Sequence, residues 1–321
     1  MQATPVSGDR FGRIWLAAAL VLALGCVAAA PPDAYVGASV DPMTIADDDF
    51  ARNRNPAIWD GLGVERIIFT EAGTTWRLWR IVNTARPSGP LWVVTHDNEN
   101  ATFPAAMAGL RAWGGVAMIV DTGPVDSYYD ARFNRETSGT PVDPNRHFSD
   151  ALPLYARTML ADAVAERRLI IALHTNAADF DPTLSDCPAA RPGRGAISVG
   201  LCNDRYRPRA ARVKRWPYDD EDSLVLIPYR DGSDRLSATC ARRLMAGDMN
   251  LVFEHVAISD GSLSNYAVQH GLPYVNVETE ERGSSPTGIA LARDRLVNMV
   301  DAVMERCGPV TGVVTRPPIR R

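Results

Sequence analysis

Short apolar segments that alternate with helix-compatible segments constrain the fold of this chain more than any other feature. Apolar runs predict buried strands over residues 79–82, 91–94, 116–120, 169–173, 224–227, 251–253 and 274–277. Helical spacing predicts helices over residues 101–113, 151–167, 264–270 and 289–306. This alternation favours the α/β class, with a mostly parallel mixed sheet and helices on both faces. We expect strands 79–82 and 91–94 to be neighbours, because a turn cluster separates them.

Length and composition allow one large globular domain or two small ones, and we predict a single catalytic domain over residues 31–308. The chain has 321 residues, of which 46% are hydrophobic and 22% are charged. A net charge of -4 argues against a nucleic-acid partner, which requires a basic face. Residues 179–222 lack periodicity and predict a long insertion loop, and residues 309–321 predict a disordered tail. The acidic run 47–49 is interpreted as a helix start or a solvated surface rather than a calcium site.

The first thirty residues have the layout of a signal peptide. Arg10 and Arg13 precede an uninterrupted apolar run over residues 14–30, which two prolines follow. Export to the periplasm or the extracellular space is the prediction, and retention as a membrane anchor is the alternative. Cys26 lies in an imperfect lipobox, so lipidation at that residue is a further alternative. The membrane is expected to be contacted only through this segment.

Four cysteines remain if this segment is removed, which suits an oxidising compartment. Cys187, Cys202, Cys240 and Cys307 could pair in three ways. The first two are the simplest pair to propose, because they would close a short loop rich in proline, glycine and arginine. The alternative is that all four are reduced and buried.

Side chains suited to metal binding or catalysis follow several predicted strands. His96 and Glu99 come after strand 91–94, His174 follows strand 169–173, and Glu278 follows strand 274–277. Because an α/β sheet places its site at the carboxyl ends of its strands, we expect these side chains to lie close together. Imidazole nitrogens and carboxylate oxygens are the ligands of catalytic Zn²⁺ sites.

A further pair, Asn145 and Arg146, lies between these segments in the chain. The order His-x-x-Glu, Asn-Arg, His, Glu resembles the zinc carboxypeptidase superfamily, and most closely its succinylglutamate desuccinylase and aspartoacylase branch. The resemblance covers roughly residues 91–283. The chain departs from the motifs of that branch at Asp97, where glycine is usual, at Pro144, where leucine is usual, and at Ala172, where aspartate is common.

The resemblance implies a phosphorylase/hydrolase-like three-layer sandwich that holds a catalytic Zn²⁺. Its ligands would be His96, Glu99 and His174, with an open position left for water. Asn145 and Arg146 would bind a substrate carboxylate, the arginine through its two-pronged guanidinium.

The same resemblance assigns the remaining catalytic roles. Glu278 would be the general base, with Glu280 and Glu281 as alternatives on the same segment. Arg135 would be the cation beside the oxyanion. Arg132 is the alternative for that role and otherwise counts among the substrate-binding residues.

These residues predict an exported zinc-dependent, carboxypeptidase-like hydrolase. It would cleave an amide beside a free carboxylate in a peptide or a peptidoglycan stem peptide. An N-acyl amino acid deacylase is an alternative with the same chemistry, and a non-catalytic binding protein is an alternative on the same fold. A serine hydrolase is disfavoured, because the sequence contains no Gly-x-Ser-x-Gly elbow.

Overall fold

The computed structural model describes residues 37–123, 130–177, 205–231 and 235–308. Within these residues ten strands form one sheet: β1 Ala38–Ser39, β2 Leu62–Glu71, β3 Thr74–Asn83, β4 Leu91–Val94, β5 Val116–Asp121, β6 Ile170–Asn176, β7 Tyr206–Arg209, β8 Leu224–Tyr229, β9 Leu251–His255 and β10 Tyr274–Glu280. The helices of the same residues are α1 Asp48–Arg52, α2 Pro56–Trp59, α3 Thr102–Trp113, α4 Pro153–Glu166, α5 Arg235–Ala246, α6 Leu263–Gln269 and α7 Pro286–Cys307. Short 3₁₀ turns occur at Pro42–Thr44, Asp130–Arg132 and Pro144–Arg146.

The strand order in the sheet is β1-β2-β3-β5-β4-β6-β10-β8-β9-β7. The central strands β5, β4, β6 and β10 are parallel, and β8 is parallel to β9. The other five pairings of the described strands are antiparallel, so the sheet is mixed rather than mostly parallel as predicted. The carboxyl ends of the parallel strands β4, β6 and β10 therefore meet at one edge of the sheet.

Helices cover both faces, which confirms the predicted α/β class. One core contains side chains of α3, α5 and α7, and the other contains side chains of α4 and α6. Every residue of β4 and β5 is buried, as expected for central strands that are covered on both sides.

The prediction that strands 79–82 and 91–94 are neighbours was wrong, because β5 lies between β3 and β4. The connection after β3 crosses the start of β5, where the N–H of Val116 donates to the carbonyl of Pro90. Glycines make this crossing possible, since a Cβ on Gly89 would lie 2.4 Å from the carbonyl carbon of Gly114. β2 was not predicted and pairs with β3 over its whole length.

A disulfide between Cys240 and Cys307 joins α5 to α7, so the fully reduced alternative is not what the structure shows. The predicted insertion loop 179–222 is described only from residue 205 and contains β7 there. The predicted export segment with Cys26, the pairing of Cys187 with Cys202 and the tail 309–321 lie outside the described residues. Among the helices that the structure describes, none is both long and apolar enough to cross a membrane.

Candidate metal centre

A tight turn after β4 carries two of the predicted ligands. The N–H of Glu99 donates to the carbonyl of His96, at 3.2 Å, which brings both side chains onto one turn. The Glu99 carbonyl in turn accepts the N–H and the hydroxyl of Thr102, at 2.8 and 2.7 Å, where α3 begins. Both ends of the turn are therefore fixed, one by the buried strand β4 and the other by the first turn of α3.

His174 in β6 completes a buried cluster with this turn. Nδ1 of His96 lies 2.7 Å from Glu99 Oε1, and Nδ1 of His174 lies 3.1 Å from Glu99 Oε2. The three residues are at most 4% exposed, and one ligand atom from each lies within 4.8 Å of the others. The N–H of Thr175 also donates to Glu99 Oε2. Two imidazole nitrogens and a carboxylate oxygen that converge in this way fit a Zn²⁺ ion.

The charges of the cluster are strongly coupled. Burial alone would raise the pKa of Glu99, but the charges of His174 and His96 and their hydrogen bonds outweigh it and hold this pKa well below its ordinary value. Burial would lower the pKa of His96, but Glu99 and the hydrogen bond to Asp143 outweigh it and raise this pKa to about 9. Without metal, His96 is therefore an imidazolium between two carboxylates at neutral pH.

Asp143 orients His96 from the opposite side of the ring. Its Oδ1 lies 2.9 Å from His96 Nε2, so Nδ1 faces Glu99. Asp143 also accepts the N–H of Asn145 at the start of a 3₁₀ turn. A carboxylate on the outer nitrogen of a metal-bound histidine fixes its tautomer and raises its basicity. The sequence analysis gave Asp143 no role, although a carboxylate two residues before Asn145 was a usable signal.

Of the two predicted arginines, Arg132 lies close to the carboxylates of the cluster. Its guanidinium nitrogens lie 3.5 Å from Glu99 Oε1 and 3.6 Å from Asp143 Oδ2. Arg135 is exposed and lies in the segment that forms the bridge between Asn134 and Val142. Arg132 is therefore a cation beside the carboxylates of Glu99 and Asp143.

Glu278 lies next to His174 in the sheet. The two residues are register partners in the parallel strands β10 and β6, so their side chains leave the same face. Asn276, two residues earlier on that face, donates its amide N–H to Glu278 Oε1 at 2.6 Å. Of the two alternatives to Glu278, Glu280 pairs with Arg282, and Glu281 accepts the hydroxyl of Thr175.

The predicted carboxylate-binding pair occupies the 3₁₀ turn after Asp143. Asn145 Oδ1 accepts the N–H of Leu263 at the start of α6, at 3.3 Å, and Arg146 is exposed. The pKa of buried Tyr274 is raised by burial and by Glu254 and Glu278, and Arg146 opposes that rise. Arg146 and Glu278 therefore both lie close enough to Tyr274 to affect its pKa.

Two departures from the motif that this chain resembles have structural consequences. The Asp97 carboxylate accepts the N–H and the hydroxyl of Thr122, at 3.1 and 2.8 Å, and so connects the ligand turn to the end of β5. Ala172 lies two residues before His174 on the same face of β6, and its methyl side chain cannot accept a hydrogen bond. His174 Nε2 is buried and has no hydrogen-bond partner among the described residues.

No family model and no curated protein matches this chain. Similar solved structures include a candidate metallopeptidase from Shewanella denitrificans OS217, with 14% identity over 87% of this chain and 99% of that one, at a TM-score of 0.41. Product-bound cell shape determinant Csd4 from Helicobacter pylori has 12% identity over 75% of this chain and 56% of that one, at a TM-score of 0.39. Product-bound ectoine utilization protein EutE (DoeB) from Ruegeria pomeroyi has 15% identity over 77% of this chain and 67% of that one, at a TM-score of 0.37. These similarities assign no family to the chain.

Proposed function

We propose that this chain is an exported zinc-dependent, carboxypeptidase-like hydrolase that cleaves an amide beside a free carboxylate. The observation that carries the proposal is the buried convergence of His96, Glu99 and His174, with Glu278 in register beside the third ligand. Peptides and peptidoglycan stem peptides are the proposed substrates. The Cys240–Cys307 disulfide supports export, because such bonds persist in oxidising compartments.

The two histidines would hold the metal through Nδ1 and Glu99 through its carboxylate. A Zn²⁺ ion with three protein ligands supplies a Lewis acid and lowers the pKa of water at its open position toward neutrality. Asp143 keeps Nδ1 of His96 directed at the cluster. His174 is held by the strand β6 itself.

Glu278 would be the general base. It would take a proton from the attacking water and return it to the leaving amine. The hydrogen bond from Asn276 fixes one of its oxygens and leaves the other available for this transfer. Arg132 would stabilise the oxyanion, because its guanidinium lies beside the ligand cluster.

Arg146 and Asn145 would bind the substrate carboxylate and so select the amide to be cleaved. An exposed guanidinium can take a carboxylate in a two-pronged geometry. The Asn145 backbone is held by Asp143, which also contacts His96. Asp143 thus fixes the distance between the carboxylate-binding turn and the metal ligands.

The experiment is the substitution Glu278→Gln, assayed on peptides with free and with amidated C-termini. We expect kcat to fall by about 10²–10⁴-fold with bound zinc unchanged, and amidated peptides to be poor substrates of the unmodified protein. Glu280→Gln is the matched control and should keep its activity. Unchanged kcat in Glu278→Gln would refute the assignment of the base. Turnover of N-acyl amino acids but not peptides would favour the deacylase alternative, and zinc binding with no turnover of either would favour the binding protein.

A further inference from the structure

A second carboxylate cluster lies in a cavity of about 860 Å³ that the three proposed zinc ligands do not line. Its members are Asp47, which precedes α1, Asp97 in the ligand turn, and Asp121 at the end of β5. One oxygen from each lies within 4.8 Å of the others. Three segments far apart in the chain therefore place carboxylates around one point.

Each of these carboxylates is fixed through one oxygen and keeps the other available. Asp47 Oδ1 accepts two backbone N–H groups at the start of α1. Asp97 Oδ2 accepts both donors of Thr122, and Asp121 Oδ1 accepts the N–H of Gly123 at 2.7 Å. The second oxygen of each carboxylate has no hydrogen-bond donor among the described residues.

Asn98 supplies an independent observation that points to a ligand. It lines the same cavity and is 8% exposed. Its Oδ1 is buried and accepts no hydrogen bond from the part of the chain that the structure describes. A buried acceptor without a partner is destabilising, and a cation bound beside the carboxylates would satisfy it.

Arginines line this cavity, and the charges of Arg77 and Arg66 partly offset the rise that burial causes in the pKa of Asp121. Each arginine also has a contact outside the cluster. Arg52 pairs with Asp48 and Asp49, and Arg77 pairs with Glu136. Arg66 lies over the ring of Trp79. Within the described ranges, none of them forms an ion pair with a member of the cluster.

The negative charge of the cluster is therefore only partly balanced. Burial is the main cause that raises the pKa of Asp47 to about 6, and the Asp121 carboxylate adds to it. A bound cation would relieve both the repulsion between the carboxylates and the cost of their burial.

We propose that Asp47, Asp97 and Asp121, with the side-chain oxygen of Asn98, bind a Ca²⁺ ion. A donor set made only of oxygens, without histidine or cysteine, selects hard cations such as Ca²⁺ and Mg²⁺ over Zn²⁺. The ion would tie the start of α1 and the end of β5 to the turn that carries two of the zinc ligands. The proposal stands on its own residues and does not require the hydrolase activity.

The experiment is calorimetric titration of the full chain with CaCl₂, and separately with MgCl₂, after removal of divalent ions and reloading with zinc. We expect a single Ca²⁺ site with a Kd of about 1 mM or tighter, the range of extracellular calcium modules. At a free Ca²⁺ concentration 100 times Kd, the Tm should rise by about 5 °C.

Asp47→Asn and Asp121→Asn should each weaken Ca²⁺ binding by at least tenfold, since both keep the local hydrogen bonds but remove a charge. Asp48→Asn is the matched control, because it lines the same cavity but pairs with Arg52, and it should bind Ca²⁺ as the unmodified protein does. His174→Ala should also keep the Ca²⁺ site, which separates this proposal from the zinc site.

Absence of saturable Ca²⁺ binding, binding of Mg²⁺ alone, or equal binding in the unmodified protein, Asp47→Asn and Asp121→Asn would each overturn the proposal. Circular dichroism of each variant establishes that a loss of binding is not a loss of fold.

Discussion

Replacing Asp143 by asparagine should weaken zinc binding without unfolding the protein. Asp143 Oδ1 lies 2.9 Å from His96 Nε2, so the carboxylate fixes the tautomer and raises the basicity of the ring. Loss of such a partner typically costs 10–100-fold in metal affinity, or about 1.4–2.7 kcal/mol. Asparagine can still accept the Nε2–H but carries no charge, so we expect a loss near the lower limit. Asp143→Ala also frees the N–H of Asn145 and should lie near the upper limit.

Competition between the protein and a zinc chelator of known affinity measures this loss directly. The matched control is Asp150→Asn, because Asp150 forms a similar hydrogen bond, at 3.0 Å, to Nε2 of His270 outside the cluster. Asp150→Asn should bind zinc as tightly as the unmodified protein. Equal affinity in Asp143→Asn, Asp143→Ala and the control would show that Asp143 does not orient a zinc ligand.

The remaining predictions concern protons and packing. The pKa of His96 is raised to about 9, so zinc must displace a proton from this side chain. Zinc affinity should therefore rise as the pH increases toward 9. Calorimetry in two buffers with different enthalpies of ionisation should detect the released proton. The raised pKa of His96 also adds to the free energy of unfolding of the metal-free protein. This added stability is complete below about pH 6.5 and is lost as the pH rises through about 9. Urea unfolding of the metal-free protein across that pH range would test it. Gly109→Ala should reduce the free energy of unfolding by about 1–3 kcal/mol, because its Cβ would lie 2.8 Å from the buried Trp92 ring. Gly139→Ala, whose Cβ meets nothing within 4 Å, is the control, and equal stability of these two variants would contradict the packing argument.

The parts of the fold that could be predicted are those with a local signal. The central strands are continuous apolar runs, and β4 begins and ends as predicted, at Leu91 and Val94. The proposed ligand residues could be identified because each lies near the carboxyl end of such a strand. Parallel strands bring these ends to one edge, so His96, Glu99 and His174 could be placed together from the sequence.

Long-range pairing has no comparable local signal. The order of β3, β5 and β4 depends on a connection that crosses the start of β5 through close-packed glycines. The contact of Asp143 with His96 spans 47 residues, and no periodicity encodes it. The calcium proposal depends likewise on Asp47 and Asp121, which meet Asp97 only in the folded chain.

The most direct test of the zinc site is the metal content of the purified protein after dialysis against buffer with trace zinc. Elemental analysis should find about one Zn²⁺ per chain, the stoichiometry of a three-ligand catalytic site. His96→Ala and His174→Ala should each lose that zinc, and His270→Ala should keep it. Absence of bound zinc in the unmodified protein, or retention of zinc in both ligand variants, would contradict the proposed site.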